Sequence, residues 1–295
     1  MTPERLRAIL AGLQAQTGLS VAGAHLIKFT NNAVFRLPKV SAVARIAGSE
    51  TMAKRVNKVV RVAGWLEDEG VAAVQLLRGV PQPVVVDGLL VTVWQDIEGP
   101  GRPPTGEDLA KILKVFHRLL PPDGGLPGWA PIEEIRQRLD DPEGVSADDV
   151  AFLRAQCDEI EAALANVSFE LPQGPIHGDA FMGNLITSPT GPVICDFDST
   201  CIGPREWDLT PLAVGKLRFN YARDAYSELI GCYGFDVMKW PGFAVLRRVR
   251  ELKLVASVVP VLASNPAIRE QWKHRLSTYR SGDQTTRWST YSSTT

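Results

Sequence analysis

One break in residue pattern governs what this chain can fold into. Up to residue 97 short β-type runs alternate with turn signals. After Glu98-Gly99-Pro100-Gly101-Arg102-Pro103-Pro104, a linker by its Gly and Pro content, the period turns helical. The first stretch opens with a helix: Thr2 as N-cap, Pro3 in the first turn, Leu6, Ile9, Leu10 and Leu13 at helical spacing, and a stop at Gly18. His25 to Phe29, Val34 to Leu37 and Ala42 to Ala47 then read as three antiparallel strands joined by tight turns. A helix over 50–69 follows, with Lys54, Arg55, Lys58 and Arg61 on its wet side, and two more strands flank the Asp87-Gly88 turn. Beyond the linker, Thr105-x-x-Asp108 and Ser146-x-x-Asp149 start helices over 105–120 and 146–166, with another at 131–140 and more from 206 to 281. A single β interruption, 184–197, folds around Ser188-Pro189-Thr190-Gly191. The expected class is α+β in two lobes. Residues 1–97 form a five-stranded antiparallel sheet with one main helix, and residues 98–295 a larger, mostly helical lobe containing a hairpin.

Composition narrows the function. At 45% apolar and 22% charged residues the chain is ordinary globular protein, which excludes extended disorder. Lys plus Arg number 32 against 33 Asp plus Glu, so no overall field attracts a polyanion and nucleic acid is not an expected partner. Four scattered cysteines suit neither a disulfide framework nor a zinc site. The start lacks the layout of a signal peptide, and the apolar stretch Leu254 to Ala263 is too short to span a bilayer. A soluble, cytoplasmic protein without membrane partners is expected.

The chemistry concentrates in Ile176-His177-Gly178-Asp179-Ala180-Phe181-Met182-Gly183-Asn184, followed by the hairpin and Asp196-Phe197-Asp198. A hairpin sets its two ends side by side, so Asn184 and Asp196 should face each other. Two oxygen ligands so placed, with a further carboxylate nearby, suit a hard cation such as Mg2+. Such a cation usually shares substrate phosphates, which points to phosphoryl transfer.

His-Gly-Asp-x4-Asn followed by Asp-Phe resembles the catalytic and metal-binding segments of the aminoglycoside phosphotransferase and choline kinase-like family, relatives of the protein kinases. Gly203-Pro204-Arg205-Glu206-Trp207-Asp208-Leu209 and the two-lobe layout extend the likeness over most of the chain. The resemblance implies a bilobal protein-kinase-like fold and an O-phosphotransferase using Mg2+ with ATP or GTP. By it, Asp179 is the catalytic carboxylate that orients a hydroxyl and accepts its proton, and Asn184 and Asp196 hold the metal. His177 braces the loop, and Asp208 ties the helical lobe to it. Asn31 and Asn32, in Thr30-Asn31-Asn32-Ala33, stand at the phosphate-covering turn, and Arg45 stands where the kinase lysine grips the α- and β-phosphates. Val93-Trp94-Gln95-Asp96-Ile97 resembles the hinge, with adenine on the backbone of Gln95 and Ile97 and Trp94 either behind it or simply packing the lobes.

Two departures stand out. Arg45 replaces the usual lysine, and the following helix has Asn57, Lys58 and Val59 where relatives carry an acid. Either Glu50 braces Arg45 or that ion pair is absent, and a regulatory nucleotide-binding pseudokinase is the alternative that these changes favour. Val193-Ile194-Cys195-Asp196-Phe197-Asp198-Ser199-Thr200 also fits the first motif of haloacid-dehalogenase-type phosphatases. That rival needs a downstream acidic pair, which the sequence lacks. Under the kinase reading Asp198 backs the metal or reaches the substrate. The acceptor is a small-molecule hydroxyl: an aminoglycoside, another antibiotic, a sugar or a metabolite alcohol. Asp198, Glu206, Glu251 and Asp283 are the candidate contacts. Residues 171–295 hold 14 Lys plus Arg against 11 Asp plus Glu, which tilts the expectation toward a less cationic acceptor. His25, His117 and His274 have no motif around them and read as surface or packing residues, and the cysteines as buried or inert.

Overall fold

The computed structural model describes residues 2–29, 32–48, 50–97, 99–140, 142, 144–263 and 266–291, with backbone alone for Glu50, Thr51 and Pro266. The chain begins with α1 (Pro3–Thr17), where Thr2 Oγ1 accepts from the Arg5 N–H and Gly18 closes the helix in the left-handed region. Strands β1 (His25–Phe29), β2 (Asn32–Leu37) and β3 (Ala42–Ala47) follow. Next come helix α2 (Glu50–Asp68) and strands β4 (Val84–Val86) and β5 (Leu89–Gln95). All five strands pair antiparallel in the order β1-β2-β3-β5-β4. Period-two alternation sends Ala33, Phe35, Leu37, Ala44 and Ile46 into a core closed by Leu6, Ile9, Leu10 and Leu13 of α1. Arg45 is thereby turned to the other face.

Beyond residue 104 come α3 (Gly106–Phe116), α4 (Pro131–Arg138) and α5 (Ala147–Leu164). Thr105 and Asp108 form a reciprocal capping box on α3, and Ser146 caps α5, as their spacing predicts. The short strands β6 (Gln173–Ile176), β7 (Leu185–Ile186), β8 (Val193–Ile194) and β9 (Cys201–Pro204) precede α6 (Glu206–Arg218), α7 (Ala225–Tyr233), α8 (Phe243–Ala256) and α9 (Pro266–Arg280). β7 and β8 make the expected hairpin. The antiparallel pair β6–β9 is a further element that Gln-Gly-Pro-Ile and Cys-Ile-Gly-Pro, short and without alternation, do not announce.

Compactness divides the chain otherwise than by a single cut after residue 97. One unit comprises residues 1–104, 118–126 and 183–200, and the other residues 105–117, 127–182 and 201–295. The hairpin groups with the first unit because β8 joins the segment after α2: the Ile194 N–H donates to Ala72 O (2.9 Å) and its carbonyl accepts from the Val74 N–H (3.0 Å). In the second unit β9 is held from its other side by residues 127–129, and Leu246, Val249, Leu252 and Val255 of α8 are fully buried. Among the described residues no helix is long and apolar enough to cross a membrane.

Candidate functional site

Within the first unit, β3 places Arg45 opposite Val34 and Thr92 on the face away from the core. Its guanidinium pairs with the Asp198 carboxylate and lies 4.0 Å from Asp196 Oδ1. With its amide oxygen turned to the guanidinium, Asn32 accepts from Arg45 Nη2 at 2.6 Å and Nε at 3.1 Å. Arg45 is therefore no solvent-facing strand arginine. Asn32 begins β2 beyond the last β1–β2 pair, Phe29 with Ala33, pairs with Ala47 of β3, and turns its side chain to Arg45. Asn31 lies outside the described residues, as does the Glu50 side chain.

Arg45 has an acidic partner in the loop after β8. Asp196 takes a left-handed backbone (φ 71°), which Asp tolerates better than most residues, and the chain then turns through one short 3-10 segment, Phe197–Ser199. That turn sets Asp198 against both Asp196 and Arg45. Burial opposes ionisation of Asp198, but its contacts with Asp196 and Arg45 prevail and hold its carboxyl below the usual range. Lys58 fixes the same loop: its ammonium donates to Asp198 O (2.6 Å) and Thr200 O (3.1 Å). The expectation of a solvated Lys58 is thus corrected. This residue anchors the backbone that presents Asp198. Trp94, packed against Phe197 with ring centroids 6.2 Å apart, backs this loop from β5.

The Leu185–Ile194 register sets Asn184 beside Cys195, whose N–H donates to the Asn184 carbonyl (2.9 Å). Asn184 is buried, while Asp196 keeps about half of its side chain exposed. Among the described residues no three His, Cys, Asp or Glu side chains converge on one point. Magnesium does not need them, since one or two carboxylates suffice when phosphates and water complete its octahedron. The two adjoining carboxylates and the neighbouring amide are hard oxygen donors and fit that ion. The Gln95 N–H is already committed to Gln75 O (2.9 Å).

In the second unit, the loop after β6 is secured by hydrogen bonds at His177, Gly178 and Asp179. The Asp208 carboxylate accepts from the N–H groups of His177 (2.7 Å) and Gly178 (2.8 Å) and lies 3.0 Å from His117 Nε2. His117 Nδ1 in turn meets the Tyr233 hydroxyl at 2.8 Å, and Trp207 Nε1 donates to Gly178 O at 2.8 Å. His117 is therefore part of this network, not an incidental packing residue. His177 is fully buried, and its Nδ1 accepts the Asp179 N–H (3.3 Å), a brace for the loop.

Asp179 itself is held by Arg250 of α8, whose Nη1 lies 2.5 Å from Asp179 Oδ1. Burial alone would raise the Asp179 pKa. Arg250, with Lys253 and His177, overcomes it and takes the carboxyl down to about 2. Sequence reading missed Arg250 and Lys253, although a signal exists: both interrupt the apolar stripe of Leu246, Val249 and Ala256 on α8.

The acidic substrate candidates fare differently from expectation. Glu206 is fully buried, with Oε1 accepting from the N–H groups of Glu170 and Leu171, both at 2.7 Å. Glu251 is buried between Arg218 (2.7 Å) and Arg247 (2.7 Å). Asp283 caps its own turn through the N–H groups of Thr285 and Thr286. Each is committed to holding the protein together, and Asp198 to Arg45. Among the described residues these carboxylates form no acidic surface for a polycation.

The strand order and the anchored His-Gly-Asp and Asp-Phe-Asp loops define a protein-kinase-like fold of the small-molecule kinase class. The chain belongs to the phosphotransferase enzyme family, which matches residues 27–241. The chain is similar in fold to an amicoumacin kinase held with AMP-PNP, Ca2+ and Ami (TM-score 0.68, 13% identity, 98% of each chain). It is also similar to choline kinase LicA from Streptococcus pneumoniae (TM-score 0.69, 16% identity, 94% of this chain and 98% of the other). A spectinomycin phosphotransferase in complex with ADP superposes at TM-score 0.60 with 16% identity, over 95% of this chain and 94% of the other. Among curated proteins there is no match. The family supports neither the phosphatase nor the pseudokinase alternative.

Proposed function

We propose that the protein transfers the γ-phosphoryl group of ATP or GTP to a hydroxyl of a small molecule, with Mg2+ as cofactor. The observation that carries this reading is Asp179: an ionised carboxylate on a loop whose backbone is locked by Asp208 and His177, which is what orienting a nucleophile demands. In the transfer, a bond forms between the acceptor oxygen and the γ-phosphorus while the bond from that phosphorus to the β,γ-bridging oxygen breaks. The acceptor proton passes to Asp179, and the nucleoside diphosphate leaves. Because Arg250 keeps Asp179 a weak base, its main work is to aim the hydroxyl, with the proton moving late.

Arg45, steadied by Asp198 and Asn32, binds phosphate oxygens bidentately. Asn184 and Asp196 would hold the magnesium, which when bound neutralises charge on the β- and γ-phosphates. The backbone at Gln95 and Ile97 takes the base. Nucleotide affinity measured with and without chelator tests this assignment. Asp196→Asn should abolish the Mg2+-dependent part of ATP or GTP binding, and unchanged Mg2+-dependent binding would refute the assignment.

A further inference from the structure

One irregularity in the first unit re-aims a charge. Strand β1 pairs Leu26 with Phe35 and Lys28 with Val34, so Ile27 is an extra residue in the register, a β-bulge. Strict alternation would put Lys28 on the face of Leu26 and Phe35, which is the core side; the bulge gives it instead to the face of Val34. The register continues across the sheet, with Val34 opposite Arg45 and Arg45 opposite Thr92. Lys28 and Arg45 therefore stand in one row with a single strand between them, about 10 Å apart at the backbone by the usual strand spacing. Both act electrostatically on Cys195, the residue before Asp196.

Other cations of this unit have partners. Arg45 pairs with Asp198, Arg36 with Asp96 (2.9 Å), and Lys58 donates to the carbonyls of Asp198 and Thr200. Lys28 is exposed, and among the described residues no carboxylate pairs with it. A lysine on either face of an edge strand discourages pairing with another chain, so edge protection does not require the bulge. What the bulge does secure is a second positive charge on the face of Arg45. A nucleoside triphosphate carries more negative charge than one guanidinium and one Mg2+ neutralise. We propose that Lys28 is a further phosphate-binding residue, whose ammonium meets the outer phosphates of the nucleotide held by Arg45 and so favours a triphosphate over a monophosphate. This inference rests on the reading above, in which Arg45 binds phosphate oxygens.

The test is isothermal titration of the full chain with Mg2+ and AMP-PNP, ADP and AMP, or with their guanine counterparts if those bind more tightly, the monophosphate being read by competition. Lys28→Met keeps the stem and removes the charge. It should weaken AMP-PNP binding by about tenfold, ADP binding by less, and AMP binding by less than about twofold. Lys28→Arg should restore most of the loss, and Lys28→Glu should deepen it. Retained AMP binding shows that each variant is folded. Unchanged AMP-PNP affinity in both Lys28→Met and Lys28→Glu would overturn the proposal and leave the lysine as an edge guard. So would a loss shared equally by AMP, which assigns the effect to the base or to the fold. The broader reading fails by different results, namely no Mg2+-dependent nucleotide binding by the unaltered chain or full phosphoryl transfer in Asp179→Asn, so the two failures are distinguishable.

Discussion

At the scale of single residues, the Asp179–Arg250 contact sets the protonation behaviour of the proposed reaction. With its folded pKa depressed to about 2, Asp179 stays ionised at all ordinary pH. The linkage has a definite sign. The pair contributes stability that is fully present above the unfolded carboxyl value, declines as pH falls below it, and is lost as pH passes through about 2. Removing the guanidinium leaves burial as the leading influence, which raises a carboxyl. Arg250→Gln should therefore introduce an acid limb between about pH 4 and 6 in the pH profile of kcat/KM, one that the unaltered protein lacks. Superimposable profiles would count against the contact. Asp179, Asn184, Asp196 and Arg45 could be singled out from the sequence because motif spacing survives without three-dimensional information. Arg250 and Lys58 could not be so assigned, since their roles depend on which distant backbone or carboxylate the fold brings to them. Glu206 and Glu251 misled for the same reason, because a buried carboxylate bonded to backbone or arginine and an exposed acidic contact look alike along a chain.

At the scale of elements, α2 and the loop after β8 act together, and α3 and α7 approach closely. Lys58→Met removes two hydrogen bonds to the Asp198–Thr200 backbone while keeping most of the stem. The expected cost is about 1–3 kcal/mol of stability in denaturant melts, with Mg2+-nucleotide affinity weakened by about tenfold. An affinity equal to that of the unaltered chain would show that the loop does not depend on α2. Gly106 opens α3 with its N–H on Glu228 Oε2 (2.8 Å), and a Cβ there would collide with the Ala225 carbonyl and come within 2.9 Å of the Leu229 nitrogen. Backbone cannot yield as a flexible side chain does, so Gly106→Ala should lose about 3 kcal/mol or more; unchanged stability would contradict the close approach. Most elements were legible because caps and period-two runs are local signals: α1, β1, β3 and β4 fall where the sequence places them. β6 and β9 were not, since four-residue strands rich in Gly and Pro acquire their identity only by pairing.

At the scale of the whole molecule, the chain belongs to the phosphotransferase family, and its charge distribution bears on the acceptor. A net charge of −1 conceals a C-terminal stretch with 14 basic against 11 acidic residues, three of whose carboxylates are committed to structure. Sequence alone tilted the acceptor away from polycations, and only the contacts of Glu206, Glu251 and Asp283 explain why a local acidic pocket is not built from them. The central claim, nucleotide-dependent phosphorylation of a small hydroxyl compound directed by Asp179, is tested most directly by 31P NMR of the products formed from ATP or GTP over a panel of hydroxy acids, sugars and antibiotics. The account predicts a new phosphomonoester resonance with the unaltered chain and its loss by about 100-fold or more in Asp179→Asn at matched nucleotide occupancy. Phosphomonoester formed by Asp179→Asn at the unaltered rate would contradict it.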